Sequence, residues 1–478
     1  MYQDFGLYID GEWRSASDGS RATVTSPVSE RAIGDVPVAT IADTNEALAS
    51  AARGLAAWRA KSAFERADAM HAIADALIRR KADAIRMIST ETGKPVLQSE
   101  REWGLAIDQF RWYAEEARRI YGRVIESRVP GGRFEVLREP IGVAAAFTAW
   151  NFPAALLARK VAPALAAGCS IIVRPSSQTP GVAMLMFDCL RAGSLPAGTV
   201  SLVIGPTATT YSPIMASAEV RKVSLTGSTA VGQQMLRDAA DTVKKVSMEL
   251  GGNAPLIVFD DADLDLALNI SVPTKFANAG HVCVTPDRFF VHDSIHDAFV
   301  RGFVERADAL KLGDGLDPSV QMGPLINRRQ LEEIEAIVAD SVQAGARIVA
   351  GGHRPPAFNT GFFYEPTVLV DVNDDMKVFA AENFGPIAAI TRFSTEDEVL
   401  ARANACPMGL SAYAFTRNPA RARHVVTSLK AGMVGINSFA LAASEAPFGG
   451  TNYSGMGREG GLEGIDDYLD IKLAQVVF

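Results

Sequence analysis

Cysteine is scarce in this chain. Only Cys169, Cys189, Cys283 and Cys406 occur among 478 residues. That is too few for a disulfide scaffold, and a reducing compartment is the expected setting. Histidine is sparse too, with six in the chain. No Cys/His cluster has zinc spacing, so no metal is expected. Asp260, Asp261, Asp263 and Asp265 lack the Gly and Glu of a calcium loop. They read as a helix start, with carboxylates near the positive end of the helix dipole. Clustered positive charge is missing: 47 Lys plus Arg stand against 55 Asp plus Glu, a net charge of −8. Nucleic acid is therefore not an expected partner. The opening MYQDFGLYIDGEW has no basic segment and no long apolar one. It does not resemble a secretory leader, and the expected location is cytoplasmic. The uncharged run 141–158 is long enough to suggest a membrane span. It places Asn151 and Pro153 at what would be mid-bilayer, so it reads instead as a buried strand, a loop and a helix start. The 40 Gly and 24 Pro have no period, which excludes collagen-like and repeat architectures.

What is present is the balance of a globular protein, 48% hydrophobic and 21% charged. Its length calls for two or three cores. Residues 39–121 carry three amphipathic helical stretches, ADTNEALASAARGLAAWRA, FERADAMHAIADALIRRKADAIRMIS and EWGLAIDQFRWYAEEARRIYG. After Pro140 short apolar runs alternate with helical patterns. IGVAAAF, SIIV, VSLVIG and KVSLTG read as strands, and runs without alternation point to a parallel sheet covered on both faces. APLIVF, RFFVH, ARIVAGG, PIAAITRF, LSAYAFT and MVGIN define a second α/β unit after Glu249. RVIESRVPGGRFEVLREP predicts a hairpin, and the tail ends in a strand. Both have the edge character of a projecting sheet that pairs with another subunit.

Four segments have residues suited to chemistry. A cysteine is most often a small buried hydrophobe, which suits Cys169 and Cys189. Cys283 instead lies in Asn278-Ala279-Gly280-His281-Val282-Cys283-Val284-Thr285-Pro286, a loop between a helix and a strand. Nucleophiles are commonly placed there. Glu249 precedes Gly251-Gly252, where a ligand can approach closely, and its carboxylate can activate water. Asn151 follows a strand, reading either as a turn residue or as an oxyanion donor. Thr226-Gly227-Ser228-Thr229-Ala230-Val231-Gly232 joins a strand to a helix. It is an ordinary turn or a pyrophosphate site. His281 suggests a Cys-His pair only if the segment is extended.

Taken in order, AWNFP, GSTAVG, MELGGNAP, NAGHVC, ENFGP and PFGGTNYSGMGREG resemble the NAD(P)-dependent aldehyde dehydrogenase family over nearly the whole chain. The tail GREGGLEGIDDYLDIK is similar to the succinate-semialdehyde branch. The resemblance implies a Rossmann-like parallel-sheet cofactor domain, a second α/β catalytic domain and a small projecting β oligomerisation element. The expected boundaries are 1–120 with 140–248, then 249–448, then 121–139 with 460–478. It implies that Cys283 attacks the aldehyde, with Asn151 and the Cys283 amide as oxyanion hole, and that Glu249 activates the water releasing the acid from the thioester. Lys160 and Glu459 match a pair that helps relay the proton. Trp150, Gly227, Ser228, Val231, Leu250, Glu249, Glu382 and Phe384 match cofactor-binding positions. A depressed pKa is expected at Cys283. The expected assembly is a homodimer or homotetramer.

The departures are informative. Where the family commonly has Lys-Pro-x-Glu, this chain reads Arg174-Pro175-Ser176-Ser177. That family Glu grips the adenosine ribose and repels a 2′-phosphate. Ser177 cannot repel one and Arg174 can pair with it, so NADP is expected to be accepted beside NAD. His281 replaces a Gln and Asn452 a Lys. Arg159 matches a carboxylate-binding Arg of the succinate-semialdehyde branch, but Ala277 and Ala442 stand where that branch has an Arg and a Ser. A small acidic or polar aldehyde is the expected substrate. Lactaldehyde, glycolaldehyde and general aliphatic or aromatic aldehydes are alternatives. Thr285 stands where the hydroxyaldehyde branch can carry a second Cys, so no local disulfide is expected. Other readings are an acylating dehydrogenase using coenzyme A, a cysteine hydrolase and a catalytically silent binding relative. A product assay with and without coenzyme A, and the dependence of aldehyde turnover on cofactor, separate them.

Overall fold

A computed structural model describes residues 2–478. Two large sheets organise it. The first has eight strands in the order Glu12–Arg14, Leu7–Ile9, Val200–Leu202, Ser170–Arg174, Val143–Phe147, Val220–Thr226, Lys245–Glu249 and Gly455–Met456. Its five central strands are parallel, and the outer ones pair antiparallel. The second has seven: Arg347–Ala350, Thr367–Val370, Ile387–Phe393, Pro286–His292, Ala254–Val258, Ser411–Phe415 and Met433–Ile436. All but the first are parallel. The runs IGVAAAF, SIIV and VSLVIG contain the buried strands Val143–Phe147, Ser170–Arg174 and Val200–Leu202, because crossover helices cover both faces of a parallel sheet.

Each sheet has its own core. One joins residues between Tyr2 and Leu250 with Ile465, Tyr468 and Leu469, and the other lies between Ala254 and Leu429. The helical region differs in one respect from its sequence pattern. The second amphipathic stretch is two helices, Ala63–Arg79 and Lys81–Thr92, because Arg80 leaves helical geometry at φ −93°, ψ 11°. Ile41–Arg59 and Val96–Ala117 complete the set. The acidic run does start a helix: Asp263 caps Leu264–Phe276 by accepting from the Leu266 amide.

The run 141–158 is a strand, a loop and the start of the helix Pro153–Ala167. Among the described residues no helix is long and apolar enough to cross a membrane. The hairpin is present as Arg123–Glu126 paired with Gly132–Pro140. The tail strand Leu469–Val477 pairs along Gly132–Pro140 on its other side. This three-stranded sheet leaves Val124, Ile471, Leu473 and Phe478 exposed.

Candidate active site

Three central strands of the first sheet, Val143–Phe147, Val220–Thr226 and Lys245–Glu249, end at a cavity of about 520 Å³. Switch points outside the carboxyl ends of parallel strands are where ligands bind in such folds. Trp150 and Asn151 reach it from the loop after Val143–Phe147, Gly227 and Ser228 from the loop after Val220–Thr226, and Leu250 from the end of Lys245–Glu249. Cys283, Glu382 and Phe384 close it from the second unit. Ser228 caps the helix Thr229–Ala240, accepting from the Val231 amide at 3.4 Å. The N-terminus of that helix thus lies among the cavity's lining. The Val231 side chain is exposed. Trp150 packs edge-on against Phe384, centroids 5.6 Å apart. The cavity therefore has an aromatic wall, a cysteine at one end and a helix start among its lining, which fits an extended dinucleotide.

The Cys283 loop is held in an uncommon backbone shape. Asn278, Ala279 and Gly280 all have positive φ (49°, 53° and 77°). At Gly280 a Cβ would lie 2.1 Å from the Gly385 carbonyl oxygen, so only glycine fits. Asn278 fixes the turn: its amide donates to Gln98 Oε1, and its Nδ2 donates to the Asn151 carbonyl at 2.9 Å. Lys94 Nζ donates to the same carbonyl at 2.8 Å. Lys94 and Glu102 form a buried ion pair, and Glu102 accepts from the Ala154 amide at 2.8 Å. Losing one member of such a pair costs on the order of 3–5 kcal/mol. The sequence reading did not find Lys94, Gln98, Glu102 and Asn278. Gln98 and Glu102 lie in a helix, Lys94 in the turn before it and Asn278 in the Cys283 loop, and they converge only in space.

Asn151 is buried, and its Nδ2 donates to the His281 carbonyl at 3.1 Å. His281 makes no bond to Cys283. The segment is a turn and not extended, with the imidazole edge-on to Trp150 at 4.7 Å. Burial, with the Lys94 charge, pushes its pKa down to about 3, so the ring is neutral and apolar in effect. That is the structural account of His281. Asn452 also has one: its φ is 56°, a left-handed conformation that Asn tolerates.

The Cys283 thiol departs from the expectation of a depressed pKa. Burial pushes it up to about 12, with the Glu249 and Glu382 carboxyls adding to the rise and Arg159 opposing it. The sequence shows a cysteine near glycines, but not the two carboxyls folded against it. At Glu382, burial raises the carboxyl to about 8, and Oε1 accepts from the Gly252 amide at 3.0 Å.

Glu249 does not line the cavity. It ends its strand in a buried position, with neither carboxylate oxygen hydrogen-bonded. Burial first, and Glu459 next, raise its pKa well above the carboxylate range, against Lys160 and Arg159. Lys160 is ion-paired with Glu459, and its Nζ donates to Ser224 Oγ at 3.0 Å. Arg159, its helix neighbour, is buried with its guanidinium 4.1 Å from the Phe448 ring centre. Phe448, Leu410 and Met433 form a small apolar cluster touching Cys283 and Ala442. Ala277 is half-buried at the start of the turn before Cys283. Arg174 and Ser177 lie apart, in a second groove of about 670 Å³ that Gly205 and Pro206 also line. Arg174 donates to the Gly205 carbonyl at 3.0 Å, and its Nε has no partner.

A cavity at the carboxyl ends of a parallel sheet, with a helix N-terminus and a loop cysteine in its lining, is the arrangement of a nucleotide-dependent oxidoreductase that works through a thiol. The chain belongs to the aldehyde dehydrogenase family, whose profile matches residues 13–474. A 3-sulfolactaldehyde dehydrogenase of Pseudomonas putida is 44% identical over 465 residues, 97% of this chain and 95% of that protein. A succinate-semialdehyde dehydrogenase [NADP(+)] of Escherichia coli is 42% identical over 464 residues, 97% of this chain and 96% of that one. The crystal structure of a succinate-semialdehyde dehydrogenase from Burkholderia pseudomallei superposes with a TM-score of 0.97 at 42% identity, covering 99% of this chain and 98% of that chain. The protein is thus an oxidoreductase that oxidises an aldehyde with NAD or NADP.

Proposed function

We propose that the substrate is a small aldehyde carrying an anionic group, of the succinic semialdehyde class, and that Arg159 holds that group. The single observation carrying this is Arg159: a buried guanidinium beside the nucleophile's apolar cluster, with no hydrogen-bond or ion-pair partner among the described residues. A buried cation is stable when paired, and a substrate carboxylate or sulfonate supplies the pair. The names of the relatives support the reading, since sulfolactaldehyde, glutarate semialdehyde and succinate semialdehyde each carry an acid group. Ala277 and Ala442 widen the site where the succinate branch has larger polar residues, so we assign the anion to Arg159 alone.

In this assignment Cys283 Sγ attacks the carbonyl carbon, and Asn151 Nδ2 with the Cys283 amide stabilises the oxyanion. When bound along Trp150, Gly227, Ser228, Leu250, Glu382 and Phe384, the oxidised nicotinamide supplies the hydride acceptor and a positive charge that favours the thiolate. Glu249 then takes a proton from the water that hydrolyses the Cys283 thioester, and Glu459, ion-paired with Lys160, accepts that proton in turn. The first unit is assigned to cofactor binding and the second to carrying the catalytic loop. The exposed apolar edge residues Val124, Ile471 and Leu473 support pairing of the three-stranded sheet with another copy, as a dimer or tetramer. All four cysteines are free, which suits a cytoplasmic setting.

Arg159→Ala lowers kcat/KM for succinic semialdehyde by about 10- to 100-fold, the loss of one charge-assisted pair. The value for hexanal changes less than about threefold by the same conversion. Equal losses on both remove Arg159 from the substrate site. We also assign Arg174 and Ser177 to the 2′-phosphate end of NADP. Ser177→Glu then lowers kcat/KM for NADP by about tenfold or more, through like-charge repulsion, while NAD is used as before. An unchanged ratio of the two cofactors contradicts the assignment.

A further inference from the structure

Parallel strands covered on both faces are ordinarily apolar throughout, but one face of the first sheet carries a polar stripe. Lys222, Ser224 and Thr226 alternate along one strand. Their register partners on the next are Lys245, Ser247 and Glu249. Residues paired in register point to the same side of a sheet. The stripe therefore starts at the proposed base, Glu249, and runs back along the sheet away from the cavity.

Its inner half is the cluster already described, with Lys160 donating to Ser224 and Ser224 Oγ donating to Glu459 Oε1 at 3.4 Å. Its outer half has no part in the chemistry assigned so far. The Lys222 side chain is fully buried, and its Nζ donates to Ser247 Oγ at 2.7 Å. The ammonium also lies 3.8 Å from Asp467 Oδ2, and Asp467 is one-fifth exposed. Both Glu249 oxygens, Glu459 Oε2 and Asp467 Oδ2 lack hydrogen-bond partners. Acceptors thus stand open at both ends of the stripe. The groups facing Lys222 are Ser247 and Lys245 on the adjacent strand, Lys160 on the helix below, Cys169, and Glu459, Asp467 and Tyr468 of the C-terminal segment.

We propose that Ser224, Ser247, Lys222 and Asp467 form the outlet through which protons collected at Glu249 reach solvent. The proposal rests on the assignment of Glu249 as the base. Oxidation of an aldehyde by NAD(P)⁺ and water yields a carboxylate, NAD(P)H and two protons, so protons must leave a buried site at every turnover. Glu249 passes its proton to Glu459, and Lys160 and Ser224 carry it on. Ser224 and Ser247 are about 5 Å apart at their backbones, a span that one water bridges. The Lys222 ammonium gives a proton to the Asp467 carboxylate and takes one back from the Ser247 hydroxyl. Asp467 releases it to solvent, and every group returns to its starting state. Burial brings the Lys222 pKa down to about 8, with Asp467 opposing and Lys160 and Lys245 assisting. An amine so placed exchanges protons readily near neutral pH.

The test follows NAD(P)H by absorbance and proton release by a pH indicator in one stopped-flow experiment with succinic semialdehyde. It compares the parent with Lys222→Met and Asp467→Asn. The expected result is a hydride burst within twofold of the parent in both variants, followed by proton release and turnover slowed fivefold or more, with Asp467→Glu restoring the rate. Asp467 is part-exposed, so its variants carry the test even if Lys222→Met does not fold. Proton release within twofold of the parent in Asp467→Asn overturns the outlet. So does a burst that falls in step with proton release, which marks a merely structural role. No burst in the parent overturns the underlying assignment, and the outlet with it.

Discussion

Cys283→Ala is expected to abolish acid formation, leaving turnover below roughly 10⁻⁴ of the parent, as when a nucleophile is removed from a preorganised site. Cofactor binding is expected to survive within about twofold. Cys283 closes one end of a cavity whose other walls, from Trp150 to Ser228 and from Glu382 to Phe384, do not depend on the thiol. Aldehyde-dependent NAD(P)H formation followed by absorbance, and cofactor titration by fluorescence, check the two halves separately. Sustained turnover would remove Cys283 as nucleophile. Loss of cofactor binding as well would mean that the loop, and not the thiol, was damaged. That loop is sensitive, because Asn278, Ala279 and Gly280 hold three successive left-handed conformations against the Gln98 and Asn151 contacts.

Glu249→Gln is expected to separate the two halves of the reaction. The substitution keeps shape and removes the base. The NAD(P)H burst of the first turnover persists, while steady-state turnover falls by about 10²–10⁴, the usual range for a general base. The sign of the pH dependence follows from the environment. Burial and Glu459 raise the Glu249 pKa well above the ordinary carboxylate range. The deprotonated, active form therefore fills in only as pH climbs through that raised value. Parent turnover rises along this limb, and the variant loses it. A burst that vanishes together with turnover would assign Glu249 to the first step instead.

Much of this was legible in the chain. Val143–Phe147 and Ala254–Val258 are buried along their whole length, and burial on both faces leaves an apolar signature in the chain. The break at Arg80, where the backbone leaves helical geometry, was not legible, because Arg80 and its neighbours are ordinary helix formers. The ribbon Arg21–Thr25 with Ala32–Pro37 was not legible either: it is short and mostly exposed, although Arg21-Ala22-Thr23-Val24-Thr25 alternates polar and apolar residues. At the site, Cys283, Asn151 and Glu249 announce themselves through glycine and proline neighbours. Lys94 and Glu102 do not: one serves a carbonyl 57 positions away and the other an amide 52 positions away. The Cys283 pKa was misjudged for the same reason. Local sequence shows what precedes and follows the thiol, whereas its proton affinity is governed first by burial in the fold and then by carboxyls brought in from residues 249 and 382.

The central claim is that a thiol dehydrogenase site here selects anionic aldehydes through one buried, otherwise unpaired arginine. Initial rates of NADH and NADPH formation with succinic semialdehyde, glutaric semialdehyde, glycolaldehyde, lactaldehyde, benzaldehyde and hexanal test it most directly. The predicted result is a kcat/KM for the two acidic aldehydes at least about tenfold above the neutral ones, with NADPH formed as well as NADH. Neutral aldehydes preferred over acidic ones, or equal rates across the panel, would contradict the role given to Arg159. Strict dependence on NAD would contradict the role given to Arg174 and Ser177.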